Sequence, residues 1–452
     1  MKKLVAFTLL LATVGIVVWA TTRSREMVWT TCCEDAREAF EAALEANRRY
    51  YHDEAGRRFE KAVELDPNFA VANLMLAQHR ATRTRDRSDM IRVIEATDVT
   101  VLNPRERLFF EIARARLIDR DPEAVVVLLE TYLERYPEDP YALDIKCERA
   151  WLREERDEAE RCYQRLLEID PNWVSAQNRL GYVALAAGQF AEAEERFNTY
   201  RYIAPDQANP HDSLGELMMV QGRWAEAETS LFKALETHPE FCVSWENLSD
   251  IGLYRNDLAL ARKRIEQARD SEPCRNAVVK QWCRIALAES HSTGVDVDEL
   301  TRSTCLDGAA AQQRHAHQLA LAAGDLAQAL EIEEQLLAAS DPYPAGQDKT
   351  PELTGLQLAR ALADKDWTVA LEALEAARVR PLRGTQLDWF ERMMHDLARA
   401  RVYQELGRLE EAHRLEAAVA KVNPDFAEAF RSGCTQHHPP APRHVLCPAG
   451  VF

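Results

Sequence analysis

Five prolines, Pro137, Pro171, Pro205, Pro239 and Pro273, stand 34 residues apart in a chain of 452. With 19 prolines in the whole sequence, four further hits at prescribed positions arise by chance about three times in a million, so a fixed period governs the chain. A periodic chain does not grow around one enlarging core. Each unit packs on its neighbours, and length sets the number of units rather than the number of ordinary domains.

With position 1 of a unit at residues 140, 174, 208 and 242, the register explains itself. Position 20 is Ala159, Ala193, Ala227 and Ala261, and position 8 is Cys147, Gly181, Gly215 and Ser249, all small. Position 7 is Leu180, Leu214 and Leu248, and position 24 is Tyr163, Phe197, Leu231 and Ile265, all bulky. In a helical hairpin, small residues let two backbones approach, and large ones fill the space beside that contact. Gly188 and Gly222 mark the turn, where a chain leaving a helix favours a residue free to take positive φ. Proline at position 32 ends the second helix because its ring interrupts the hydrogen-bond ladder. No alternating strand pattern competes, and the predicted fold class is all-α.

The pattern of Leu180-Gly181 in the first helix, Ala193 and Phe197 in the second, and a closing proline resembles the tetratricopeptide repeat. The resemblance extends over most of residues 36–432. The first copy carries Ala55, Phe59 and Ala62 before Leu65–Pro67, and the last carries Gly407, Ala412 and Pro424. Weaker copies begin near Ala70 and, one residue off register, near Glu106; a degenerate one spans 276–308, and another contains Gly324, Ala329 and Pro342. The resemblance implies a right-handed α-solenoid of about ten to eleven hairpins. Residues 36–308 form the main array, and 309–432 form a second segment with a candidate hinge at 340–350. The phrases FEKAVELDPNFAVA, LNPRERLFFEIARAR and NPHDSLGE are similar to tetratricopeptide regions attached to bacterial serine/threonine kinases and adenylate cyclases. The attached enzyme is absent: no Gly-rich phosphate loop, kinase-like His-Arg-Asp segment or His-Glu-x-x-His helix occurs. A chain without catalytic residues or cofactor is expected.

A formal charge of −18 and a pI near 5.3 argue against a nucleic-acid coat and favour basic or polar protein partners. The run of Arg80, Arg83, Arg85 and Arg87 reads as a solvated loop. Residues 1–20 place Lys2 and Lys3 before an apolar run from Leu4 to Ala20, the layout of a secretory signal. Those 17 residues span about 25 Å as a helix, so the same segment also suits an uncleaved membrane anchor. Residues 21–35 follow as a linker. An exported chain with ten cysteines permits disulfides, and Cys147 and Cys162, on the two helices of one hairpin, are a candidate pair; the alternative is that Cys147 fills a small-residue slot. The tail, 433–452, offers Cys434, His437, His438, His444 and Cys447, able to hold a soft metal, or a Cys434–Cys447 disulfide; its spacing fits no familiar zinc module, and an unremarkable tail is the third reading.

The resemblance further implies that first helices line a concave face, with positions 2, 5, 9 and 12 toward the hollow. Those columns contain Tyr141 and Asn209; Asp144, Asn178, Asp212 and Glu246; Glu148, Tyr182, Glu216 and Asp250; and Trp151 and Met219. The expectation is an acidic groove with an apolar margin that receives a partner segment carrying Lys or Arg. Carboxylate-gripping tetratricopeptide modules use Lys, Arg and Asn there, and only Asn has counterparts here. Two functions fit: an exported or membrane-anchored protein-binding scaffold, or a regulatory subunit of a separately encoded signalling enzyme such as a kinase.

Overall fold

The computed structural model describes residues 28–293, 295–306, 308–338, 350–376 and 386–435. Among them are 23 α-helices and no strand: eleven consecutive antiparallel pairs and a last helix, Pro424–Thr435. The hairpin of the tetratricopeptide repeat recurs at the predicted register. Ala159, Ala193, Ala227 and Ala261 are all fully buried, as are Phe197 and Leu231 across the helix contact. A side chain at Gly181 would overlap the Phe197 ring, and one at Gly215 would meet Leu231. The small column is thus where the large column is seated.

Helix ends follow from local chemistry. Asp139 accepts the backbone N–H of Tyr141 and Ala142 at the start of Pro140–Leu152, where Pro140 takes the first helical turn. Asn103 and Glu106 form a reciprocal capping box on Pro104–Arg114. The turn inside ten of the hairpins is left-handed whatever residue occupies it. Gly188, Gly222, Gly324 and Gly407 have φ of 73 to 77°, and Tyr50, Arg85, Arg120, Glu154, Asn256 and Lys365 take φ of 54 to 63° at equivalent places. Glycine is the least strained solution there and not the only one.

The irregular copies have physical causes. The copy near Glu106 contains a π-helical stretch, Ala115–Asp119, whose wider turn takes up extra sequence and shifts the later landmarks. The degenerate copy has a long first helix, Arg275–Thr293, and a short second one, Glu299–Cys305, joined by a Cys283–Cys305 disulfide. Cys147 and Cys162 are also bonded, across their hairpin, and Cys242 and Cys274 are a third pair. In the Arg-rich stretch, Arg80 pairs with Glu60 and Arg83 with Asp53, all exposed.

The chain divides into two compact units between Leu180 and Gly181. In the first unit, Phe40, Phe59, Phe69 and Phe110 centre one apolar cluster, and Tyr163, Leu166 and Trp173 centre another. In the second, Phe197, Leu231 and Leu248 share a cluster with Trp389, Phe390 and Phe426 from near the C-terminus. Among the described residues no helix is long and apolar enough to cross a membrane. The candidate anchor, residues 1–20, and the hinge, 340–350 but for its final Thr350, lie outside the described residues.

Gly252 tests the packing rule most severely, because a Cβ there would meet the backbone nitrogen of Ala261, which cannot rotate away. Gly252→Ala is expected to lower stability by about 1–3 kcal/mol, the clash outweighing a helix-propensity gain of about 1 kcal/mol. Gly215→Ala, which would meet the side chain of Leu231 rather than backbone, should cost less than Gly252→Ala. Urea midpoints of the two variants, with unfolding followed by tryptophan fluorescence, check the order.

Candidate functional site

The acidic columns do not face an open hollow. Asp212, Glu216 and Asp250 are 3%, 7% and 2% exposed, and their neighbours in the columns, Asn178 and Met219, are buried too. Each acid is met by donors from the following hairpin. Ser244 Oγ and Asn247 Nδ2 donate to Asp212 at 2.6 and 3.1 Å. Gln281 Nε2 donates to Asp250 at 3.0 Å, and Arg284 pairs with the same carboxylate. In the first unit, Trp173 Nε1 and Ser175 Oγ donate to Asp144 at 3.0 and 2.7 Å. Arg179 holds Glu148 with two hydrogen bonds, at 2.8 and 3.1 Å, while Tyr163 donates its hydroxyl to the same carboxylate. Lys280 pairs with Glu246. The expected open acidic face is therefore corrected. A carboxylate under a stacked hairpin must be hydrogen-bonded or neutralised, because burial without a partner costs several kcal/mol, and the next hairpin supplies the donors.

Other expected groove residues are likewise engaged. Tyr182 and Ser213 share a hydroxyl hydrogen bond of 3.1 Å, and Asn209 Nδ2 donates to Tyr200 Oη. Half-buried Tyr141 lies 5.3 Å from the Arg105 guanidinium, and half-buried Trp151 lies 5.1 Å from that of Arg179. Asp144, Glu148, Trp151 and Glu246 are among the column residues that remain partly open.

Two other arrangements escaped sequence reasoning. In the first unit, residues 28–33 lie against the opening hairpins. Asn103 Nδ2 donates to Val28 O at 2.9 Å, Thr30 N donates to Glu106 at 2.6 Å, and Cys32 N and Thr31 Oγ1 donate to Asp66 at 2.9 and 2.6 Å. Trp29 packs against Phe40, Phe109 and Tyr141 at centroid distances of 4.9 to 6.3 Å, with the Arg105 guanidinium 5.1 Å from its ring. In the second unit, Trp389 Nε1 donates to Leu185 O at 3.0 Å and Asn423 Nδ2 donates to Met219 O at 3.1 Å. Asn103 and Glu106 are recognisable in the sequence as a capping box, but that Glu106 is fully buried with one oxygen accepting from Thr30 N is visible only in the structure.

Burial pushes the Asp212 carboxyl up to about 6 despite its donors, and pushes Glu216 up to about 8, with the adjacent Asp212 and more distant Asp388 adding repulsion. Burial also raises Asp144 and Asp250. One Glu216 oxygen, Oε2, has no hydrogen-bond partner, an arrangement suited to a protonated acid. Among the described residues no group of three His, Cys, Asp or Glu could hold a metal ion. The side chains of Cys434, His437, His438, His444 and Cys447, and the candidate Cys434–Cys447 bond, lie outside the described residues.

No protein-family model and no curated protein matches the sequence. Among solved structures, the chain is similar to PilW, a type IV pilus biogenesis factor, at 18% identity over 54% of this chain and 95% of that one, with a TM-score of 0.34. It is also similar to pilF of Pseudomonas aeruginosa, at 19% identity over 45% and 93% of the two chains, TM-score 0.34. A third similarity is to the APC/C hetero-tetramer Cut9-Hcn1, at 12% identity over 88% and 75%, TM-score 0.42. The fold assignment rests on the hairpins themselves.

In the unfolded chain Asp212 and Glu216 titrate near 4, and in the fold both are raised. The folded state then holds their protons more tightly, so their contribution to stability is complete below about pH 4 and is lost as pH rises through the folded values toward 8. Glu216→Gln keeps the shape and removes the titration. Its urea midpoint should gain on that of the natural chain steadily between pH 5 and pH 9; parallel curves would contradict the buried-acid assignment.

Proposed function

We propose that this chain is a non-enzymatic protein-binding scaffold, exported or membrane-anchored, that captures segments of partner proteins on the inner helices of its hairpins. The observation that carries the reading is the seating of residues 28–33. A non-helical stretch of chain is held there by carboxylates that accept its backbone N–H groups and by an aromatic box around its tryptophan. That is the chemistry with which a hairpin array recognises an extended segment: main-chain hydrogen bonds fix the path, and one buried aromatic supplies most of the apolar area. The same combination, a carboxylate beside an aromatic with an arginine stacked on it, recurs at Glu148, Trp151 and Arg179 with its rim still accessible. Partners with basic or polar segments suit Glu148 and Glu246, whose present cations, Arg179 and Lys280, are themselves partly exposed and exchangeable. Ion pairs at such rims contribute about 0 to 1 kcal/mol each and fade with salt, so they select partners more than they hold them.

Three disulfides support an oxidising compartment for the repeats. That weighs for the extracytoplasmic scaffold and against a regulatory subunit working on a cytoplasmic enzyme. The candidate signal or anchor at residues 1–20 points to the same side.

A photo-reactive amino acid installed at Trp151 or at Glu246 in the native cell should give discrete protein adducts on irradiation. The same group at Leu409 or Tyr202, exposed positions on second helices, should give none. Adducts at all four positions, or at none, would remove the basis for assigning the inner face as the binding surface. A compartment reporter after Phe452 reads the location independently.

A further inference from the structure

Six of the ten cysteines close the three disulfides, with Cα atoms 5.2 to 5.3 Å apart. Among the described residues two stay reduced, Cys32 and Cys33, adjacent in sequence. Adjacency is what leaves them so. A trans peptide holds consecutive Cα atoms about 3.8 Å apart, below the range of about 4.4 to 6.8 Å that an unstrained disulfide spans. Closing the pair on itself would distort a segment that is fixed on both sides. Thr31 Oγ1 and Cys32 N donate to Asp66 at 2.6 and 2.9 Å, and Trp29 is packed among Phe40, Phe109 and Tyr141. The Cys33 carbonyl accepts Arg37 N at 3.3 Å, opening the helix Glu34–Arg48.

The two thiols differ in access. Cys33 is half-buried against the first apolar cluster, with its Sγ 3.8 Å from the carbonyl of Leu65. Cys32 is exposed. Unpaired cysteine is ordinarily among the most buried residue types, so a solvent-facing one beside three disulfides points to a chemical role rather than to packing. The Cys32 thiol is pushed up to about 11, chiefly by its hydrogen bond to Cys33, then by desolvation and the nearby Asp66. At neutral pH it keeps its proton and reacts slowly with small disulfides met by chance. A bound partner that holds a sulfur beside it raises the local concentration and overcomes that slowness.

We propose that Cys32 is a covalent docking point, forming an intermolecular disulfide with a cysteine of a polypeptide bound at the opening hairpins. The inference rests on the scaffold reading in an oxidising compartment and adds a covalent step to it. The Cys32 thiol loses its proton and attacks a disulfide R–S–S–R′ of the partner. That bond breaks, Cys32–S–S–R forms, and R′S⁻ takes up the proton as a thiol, so Cys32 is oxidised as R′ is reduced. Cys33 resolves the product poorly, because the bond it would have to make is the strained one between neighbours. The link therefore persists.

The test maps Cys32 in the full chain from native cells, with thiols quenched in acid, blocked with N-ethylmaleimide and analysed by mass spectrometry without reduction. The Cys32 peptide should be joined by a disulfide to one cysteine of another polypeptide, a different protein or a second copy, in an adduct that reductant releases and Cys32→Ser removes. Cys32 found blocked by maleimide, acylated, closed on Cys33, or joined to Cys434 or Cys447 overturns the proposal. The purified full chain gives a second measurement, with oxidised glutathione as the probe. Glutathione on Cys32 should leave the natural chain no more than about twofold faster than it leaves Cys33→Ser; faster release that leaves a Cys32–Cys33 bond overturns the proposal. Photo-adducts at Trp151 without a Cys32 disulfide would sink this inference alone and leave the scaffold reading standing.

Discussion

The structure depends on hydrogen bonds that carboxylates on one hairpin accept from the next. Asp144, Asp212 and Asp250 sit in first helices, and their partners, Trp173 and Ser175, Ser244 and Asn247, Gln281 and Arg284, arrive from the unit that follows. A hydrophobic seam alone fixes that two hairpins pack and leaves their rotation weakly set. A buried acid that stays unpaired unless a named donor reaches it sets the rotation, because a misplaced neighbour leaves it unpaired at a cost of several kcal/mol. The ties therefore specify the stacking geometry more than they add to its strength.

This economy decides what is left for function. Acids committed to stacking are not available to a partner, so the chemistry for recognition lies at the rims and in places where the chain covers itself. Residues 28–33 in the first unit and residues 386–427 in the second both use aromatic anchors with one or two polar bonds that fix register. One is a short irregular stretch and the other a folded hairpin. An array built from identical edges can serve both, since each repeat presents similar carbonyls and similar gaps every 34 residues.

Much of the architecture could be read in the sequence because the 34-residue period encodes local geometry. Alanines 159, 193, 227 and 261, the Gly188 and Gly222 turns and the terminal prolines each answer to one nearby constraint, and all fall where the helices place them. The burial of Asp212, Glu216 and Asp250 is not encoded in the repeat pattern, because exposure is a tertiary property. Asp212 looks solvent-facing until Ser244 and Asn247 are recognised as its donors. The signal was present: each acid is followed 29 to 35 residues later by a residue able to donate. The pairs Cys242–Cys274 and Cys283–Cys305 were not legible, since cysteine spacing fixes no connectivity. Nor was the C-terminal docking, which joins residues 204 positions apart and leaves no trace in any local window.

If the buried carboxylates tie the hairpins together, a double-mutant cycle on stability will show it. Asp212→Asn, Asn247→Ala and the combined variant, each unfolded in urea at pH 5, give the coupling between the two side chains. The expected coupling is about 1 kcal/mol or more, as for groups sharing one buried hydrogen bond. Strictly additive effects, with each single variant near neutral, would contradict it and return Asp212 to a solvent-facing role.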